Sequence, residues 1–225
     1  MNRSQPPFRA DHVGSLLRPA VLKEARAKHA DGKLSDAGLK AIEDQEIEKA
    51  IKKQEAIGLQ LATDGEFRRS WWQFDFYKGL QGVELYTVGE GIKFAGVTTK
   101  AESVRVVGKI DFAGHPHLDH FKFLKAHTRV TPKMTIPAPS TLHFRQGRSS
   151  ISKEVYPDLD AYFDDVAAAY KKAIDAGCHV LVGAFDSGQT IAIAQVCEQR
   201  GVPLIVNIAA APQITEQGYK WVVRN

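Results

Sequence analysis

Apolar runs that end in polar or glycine-bearing turns alternate with helical stretches along this chain, and that alternation constrains the fold more than any other feature. FRADHVGSLL at 8–17, LQLATDGEF at 59–67, PKMTIPAPSTL at 132–142, VLVGAF at 180–185 and PLIVNIA at 203–209 read as strands. Between them, Pro19 opens a helix to about Lys28, and Ser35 can cap a second helix. In that second helix Leu39, Ile42, Ile47, Ala50, Ile51 and Ile57 recur near helical spacing until Gly58. Further helices are expected at 118–125, at 159–176 with Gly177 closing it, and at 189–199. Strands separated by helices re-enter a sheet from the same end, so the expected class is α/β with a parallel sheet, either a barrel or an open doubly wound sheet. Residues 83–112 alternate and carry Gly89, Gly91, Gly96 and Gly108, which predicts a β-hairpin excursion from that sheet.

With 225 residues, 44% of them hydrophobic, the chain can bury a substantial core. Its net charge of +4 is spread without a block of like charges, which argues against a nucleic-acid partner. No apolar run has the length of a spanning helix, and MNRSQPPFRADHVGS lacks the apolar core of a secretory signal, so a cytoplasmic location is expected. Cys178 and Cys197 have no CxxC spacing and read as buried small residues. Charge is uneven along the chain: residues 179–225 hold six charged side chains and residues 1–178 hold 50. That drop marks either a boundary near 178 or a buried strand pair.

In parallel α/β folds chemistry gathers at the carboxyl ends of strands. DHVGS at 11–15 offers the N–H groups of Gly14 and Ser15 beside a helix start, a setting that suits a carboxylate; a plain strand-to-helix turn is the alternative. TDGE at 63–66 puts Asp64 and Glu66 at a strand end, where a carboxylate can meet an ammonium or merely cap a turn. Arg68, Arg69, Trp71 and Trp72 follow, as a candidate aromatic and cationic wall for a flat anionic ligand or as part of a core helix. His115, His117, Asp119 and His120 form the chain's His cluster, but in a polar loop without a thiolate they do not read as a metal site. No Walker loop, dinucleotide-binding glycine fingerprint, HExxH or GxSxG occurs.

FRADHVGSLLRP, LATDGEFRR and the IPAPST strand end, in that order, make residues 1–178 resemble the cobalamin-independent methionine synthase family, in particular its short single-barrel relatives. The resemblance implies a (β/α)8 TIM barrel and transfer of a methyl group from 5-methyltetrahydrofolate to homocysteine, whose thiol a zinc ion holds as thiolate. It implies that Val13, Gly14 and Ser15 hold the amino-acid carboxylate and Glu66 its ammonium, with Asp64, Trp71 and Trp72 as a candidate substrate wall. The family's zinc ligands, a His and Cys from an HxC strand end, a Glu and a later Cys, have no counterpart here. No catalytic residue and no metal ligand is therefore assigned, and the chain is expected to be inactive alone.

From about Val180 the chain resembles a different family, the periplasmic substrate-binding proteins of branched-chain amino-acid ABC transporters. That resemblance implies a βαβ segment in which Ser187, Gly188, Thr190 and Ala209 to Ala211 face a ligand, and it takes Asp186 away from any barrel role. The expected organisation is thus an incomplete barrel over 1–178 followed by a receptor-like segment over 179–225. Three readings follow: a methyltransferase half, an amino-acid-binding fragment, or a gene fusion without activity. An unclosed sheet edge makes self-association an expectation as well. The expected partners are homocysteine or methionine and a folate, with no nucleic acid and no membrane.

Overall fold

A computed structural model describes residues 14–91, 93–95, 97–98, 101–143, 146–175, 181–182, 187–206 and 209–224. In chain order its elements are α1 (Ala20–Ala30), α2 (Asp36–Ala56), β1 (Leu61–Ala62), α3 (Phe74–Tyr77), β2 (Gln81–Thr87), β3 (Lys93–Phe94), β4 (Val97–Thr98) and β5 (Glu102–Asp111). They continue with α4 (Pro116–His127), β6 (Thr131–Pro132), α5 (Leu159–Asp175), β7 (Leu181–Val182), α6 (Ser187–Arg200), β8 (Leu204–Val206) and β9 (Val222–Arg224). The chain is mixed α/β, and its strands pair as β1–β6, β2–β5, β3–β4 and β7–β8–β9, so no closed barrel forms among the described residues.

Two compact units are present: residues 1–72 with 116–135, and residues 73–115 with 136–225. In the first, the Ser35 hydroxyl accepts the N–H of Gly38 at 3.2 Å and starts α2, as its position predicts. The helix ends where Gly58 adopts φ +87. Leu22 of α1, Ile47 and Ile51 of α2, Ala62 of β1, Phe67 and Leu124 of α4 form the core. Full burial of each large apolar side chain contributes roughly 1.5–3 kcal/mol. Strands β1 and β6 run parallel, Leu61 opposite Thr131 and Ala62 opposite Pro132.

In the second unit the expected hairpin is β2 and β5, antiparallel, with β3 and β4 pairing between them in sequence. A bulge interrupts the register between Gln81 and Val83, where Gly82 has φ +75. Strand β5 packs on α5. The Tyr156 hydroxyl ties the two, accepting from the Ile110 N–H at 2.7 Å and donating to Asp165 at 2.7 Å. Strands β7, β8 and β9 are all parallel. Their inward side chains Leu204, Val206 and Val222 pack with Ala194 and Cys197 of α6.

PKMTIPAPSTL is not the single strand its sequence suggests: β6 stops at Pro132, and Pro139–Leu142 form a 3-10 turn. Prolines cannot donate to a ladder, and the segment is held by side chains instead. The Tyr77 hydroxyl donates to Ala138 O at 2.7 Å and that of Tyr170 to Pro137 O at 2.7 Å. Within GHPHLDH the polar loop ends at His115, since Pro116, with its fixed φ and no N–H to lose, begins α4 there. The helix end at 176–177, Cys178, the expected join and Asp186 lie outside the described residues.

Candidate functional site

Beyond β1 the chain turns sharply through Thr63, Asp64, Gly65 and Glu66, all buried. Gln54 of α2 fixes the start of this turn, accepting the Thr63 N–H at 3.0 Å and donating to Thr63 O at 2.9 Å. The Thr63 hydroxyl then accepts the Gly65 N–H at 3.1 Å, and Asp64 Oδ1 accepts the Glu66 N–H at 2.9 Å. Gly65 has φ +68 and Glu66 φ +56; Glu66 is the only non-glycine among the described residues with positive φ. Such a backbone costs of order 1–3 kcal/mol for a side chain like Glu and persists only where surrounding contacts impose it.

Arginines impose it here. Arg18 donates to Glu66 O at 3.0 Å and to Arg69 O at 2.6 Å. Arg26 donates to Arg69 O at 3.0 Å, to Phe67 O, and to Glu43 of α2 at 3.1 Å. Arg69, itself buried, reaches Glu66 Oε1 at 3.0 Å and donates to Thr135 O, which joins the turn to the chain after β6. Arg68 pairs with Asp44 at 2.7 Å and lies over the Phe123 ring.

The Leu16 N–H donates to Gly65 O at 3.1 Å and seats the Gly14 segment on the turn. Gly14, Thr63, Asp64, Glu66, Lys133 and Thr135 line one narrow cleft that opens to solvent. Gly14 and the TDGE turn, far apart in sequence, therefore meet at the carboxyl ends of β1 and β6. The cleft brings two acidic residues and Lys133 to a strand-end backbone, and a ligand would have to open it, since it has no room for a water molecule as it stands.

Of the residues singled out by sequence, Gly14, Asp64 and Glu66 line this cleft, whereas Val13 lies outside the described residues. Ser15 is exposed beside it. Trp71 and Trp72 are not among the lining residues, and Trp72 is exposed. Arg68 and Arg69 direct their guanidinium groups at carboxylates and a carbonyl within the unit. Lys133 and Thr135 are not legible as site residues; their signal is their place one and three positions beyond β6, level with the turn after β1.

The histidines divide between environments. His115 is buried, bonds Phe76 O at 2.8 Å and stacks on Phe112; burial lowers its pKa. His120 is pushed down to about 4, first by burial and then by the neighbouring charges of Arg68 and Arg69, with Asp64 and Asp119 opposing. Among the described residues no three of His, Cys, Asp and Glu gather where they could hold a metal ion. Burial in the α6 core pushes the Cys197 thiol up to about 11. At the start of α6, Ser187 accepts the Ala211 N–H at 3.2 Å, so this hydroxyl, offered by sequence as a ligand contact, closes onto the chain itself. No helix among the described residues is long and apolar enough to cross a membrane.

No family model matches the chain. YxjH of Bacillus subtilis, an uncharacterized protein, is 51% identical over 180 residues, covering 78% of this chain and 47% of its own length. The methionine synthase of Sulfurisphaera tokodaii is 28% identical over 173 residues, covering 75% of this chain and 49% of its own length. The chain thus spans about half the length of the curated relatives it matches. A Listeria monocytogenes protein assigned as a vitamin-B12-independent methionine synthase superposes with a TM-score of 0.67 and 33% identity over 90% of this chain and 65% of its own. A coverage of 90% exceeds what residues 1–178 can supply, so the likeness in fold extends past residue 178. A B12-independent methionine synthase from Shewanella, in complex with selenomethionine, shares the fold at a TM-score of 0.53 and 17% identity.

Proposed function

We propose that this chain, whose relatives and structural neighbours are cobalamin-independent methionine-synthase-like proteins, presents the amino-acid half of a methyl-transfer site at the cleft between DHVGS and TDGE. The observation that carries this reading is that Gly14, Asp64 and Glu66 line one cleft. Homocysteine or methionine would place its ammonium against Glu66 and Asp64 and its carboxylate toward the Gly14 and Ser15 N–H groups. Arg69 holds Glu66 Oε1 and so fixes the carboxylate's direction, leaving its second oxygen for the ammonium. Because the turn is buried, a charge pair formed there is screened less than in water.

In such enzymes zinc supplies a thiolate at the homocysteine sulfur. The donors among the described residues do not fit it: they form no cluster of three, and the Cys197 thiol is held protonated in a core. The 225-residue chain by itself then binds the amino acid without carrying the methyl group from 5-methyltetrahydrofolate to it. In this reading residues 1–178 are the N-terminal part of a TIM-type barrel, 179–225 extend it with a strand, helix and strand of different origin, and the protein acts in the cytoplasm. In support of a change near 178, sequence likeness to YxjH runs over 180 residues, 78% of the chain. The unclosed sheet is the surface through which copies would associate.

The test is a thermal-shift and calorimetric titration of the whole chain with L-homocysteine, L-methionine and L-leucine, with zinc content and homocysteine methylation measured on the same preparation. Methionine or homocysteine should raise the melting temperature, Glu66→Gln should abolish the rise, and leucine should do nothing. Stoichiometric zinc with turnover would overturn the reading of an inactive half. A response to leucine alone would move the ligand to the α6 segment.

A further inference from the structure

Two walls of the cleft come from distant parts of the chain, the turn at 63–66 and the stretch at 133–135, and they stand too close to admit a water molecule. One side chain spans both. Arg69 pairs through Nη1 with Glu66 Oε1 at 3.0 Å and donates through Nη2 to Thr135 O. Arg69 is buried and is not among the lining residues, so it ties the walls together without filling the space between them. Its own backbone is fixed: its N–H donates to Glu66 O at 3.1 Å, and its carbonyl accepts from Arg18 at 2.6 Å and from Arg26 at 3.0 Å. The far wall is held more lightly. The ladder with β1 ends where the Lys133 N–H donates to Ala62 O at 2.9 Å, and at Thr135 the hydrogen bond made among the described residues is the one from Arg69.

We infer that Arg69 is a gating residue, positioned so that its bond to Thr135 keeps the cleft shut in the free chain and release of that bond is the opening that lets a ligand reach Glu66. This rests on the amino-acid reading of the cleft. Of the two ends of the bridge, the Thr135 end yields first. Parting Arg69 from Glu66 would strand two buried charges, whereas parting it from Thr135 breaks one hydrogen bond. A hydrogen bond from a charged donor biases a two-state equilibrium by about tenfold to a hundredfold, and apparent affinity falls by the same factor when only the open form binds. Glu66 stays on Arg69 in both forms, so the ligand's contact point is preset while the 133–135 wall moves.

The experiment uses the whole chain as wild type, Arg69→Lys and Thr135→Gly, with circular dichroism to confirm folding. A lysine keeps a charge beside Glu66 but its single ammonium cannot also hold Thr135; the glycine loosens the same wall and leaves the ion pair intact. Hydrogen exchange should quicken at 133–135 in both variants, while the Thr63 amide, held by Gln54, exchanges as in wild type. Calorimetry with L-methionine should show both variants binding about tenfold more tightly than wild type although they melt at lower temperature, a split that a merely structural role would not produce. Unchanged exchange at 133–135, or affinity that falls along with stability, overturns the inference. A wild type that does not bind L-methionine overturns the amino-acid reading instead, and the exchange comparison then decides by itself whether Arg69 holds the cleft shut.

Discussion

The Gln54 side-chain amide pairs with both polar groups of the Thr63 backbone, N–H at 3.0 Å and carbonyl at 2.9 Å, in the manner of a neighbouring strand. It thereby extends the ladder of β1 by one residue and sets where the carboxylate turn begins. Replacing it by Leu leaves buried backbone groups without those bonds. Gln54→Leu should cost about 3 kcal/mol of unfolding free energy, read from urea melts, and should weaken methionine binding further than the stability loss explains.

Arg69 and Glu66 form a buried pair, each less than a tenth exposed. Removing one partner leaves the other charge uncompensated, which typically costs about 3–5 kcal/mol. Arg69→Met alone should therefore be severely destabilising, and adding Glu66→Gln should recover a large part of the loss. A double-mutant cycle by chemical denaturation measures the coupling; additive effects would show that the pair is not holding the turn.

Gly82 sits in the β2 bulge with φ +75, where a Cβ would approach Lys109 O to 2.4 Å and Gly108 O to 2.5 Å. Backbone oxygens of a paired strand cannot step aside. Gly82→Ala should lower stability by about 2–4 kcal/mol, and near-ultraviolet circular dichroism should report the loss in the aromatic-rich second unit.

His120 is held neutral in the folded protein, with its pKa moved from 6.5 to about 4. The unfolded chain therefore binds more protons than the folded one between these values, and stability rises with pH across that window. The contribution is fully present above pH 6.5 and lost as pH falls toward 4; His115, shifted the same way, adds to it. Denaturation midpoints at pH 7 and pH 5 should differ less in His120→Gln than in wild type, and an unchanged difference would remove His120 from the account.

Cys197 is buried with its thiol pushed up to about 11, so thiolate is scarce at neutral pH and the sulfur is shielded. Alkylation mapped by mass spectrometry should leave Cys197 unmodified in the native chain and label it in urea. Rapid native labelling would mean that α6 opens readily.

Local signals carried much of the fold. Ser35 and Gly58 bound α2 because a cap and a left-handed stop act within a few residues, and the hairpin showed itself through alternation and glycines. The β1–β6 pairing had no comparable signature: two-residue parallel strands leave no period, and the prolines of PKMTIPAPSTL suggested the end of a strand longer than β6 is. Lys133 and Thr135 were missed for that reason, since their role depends on lying level with a turn that is distant in sequence. Glu66 was legible as a ligand carboxylate through its motif, but its positive φ and its arginine clamp depend on Arg18, Arg26 and Arg69 folding back onto carbonyls. The helix expected at 118–125 begins two residues earlier, at Pro116, whose fixed φ and missing N–H suit a first helical position.

The interrupted path of the first unit sets an order of events during synthesis. Strand β1 and its carboxylate turn leave the ribosome before residues 73–115, which belong to the other unit, and only then does β6 follow. At roughly 5–20 residues per second, the about 70 residues between the paired strands take several seconds to make. Throughout that interval Leu61 lacks β6 as its partner and Arg69 lacks the Thr135 carbonyl, so the newborn chain carries an edge without β6 and an arginine clamp still short of one acceptor. Chaperone demand in this protein should therefore peak before translation reaches β6.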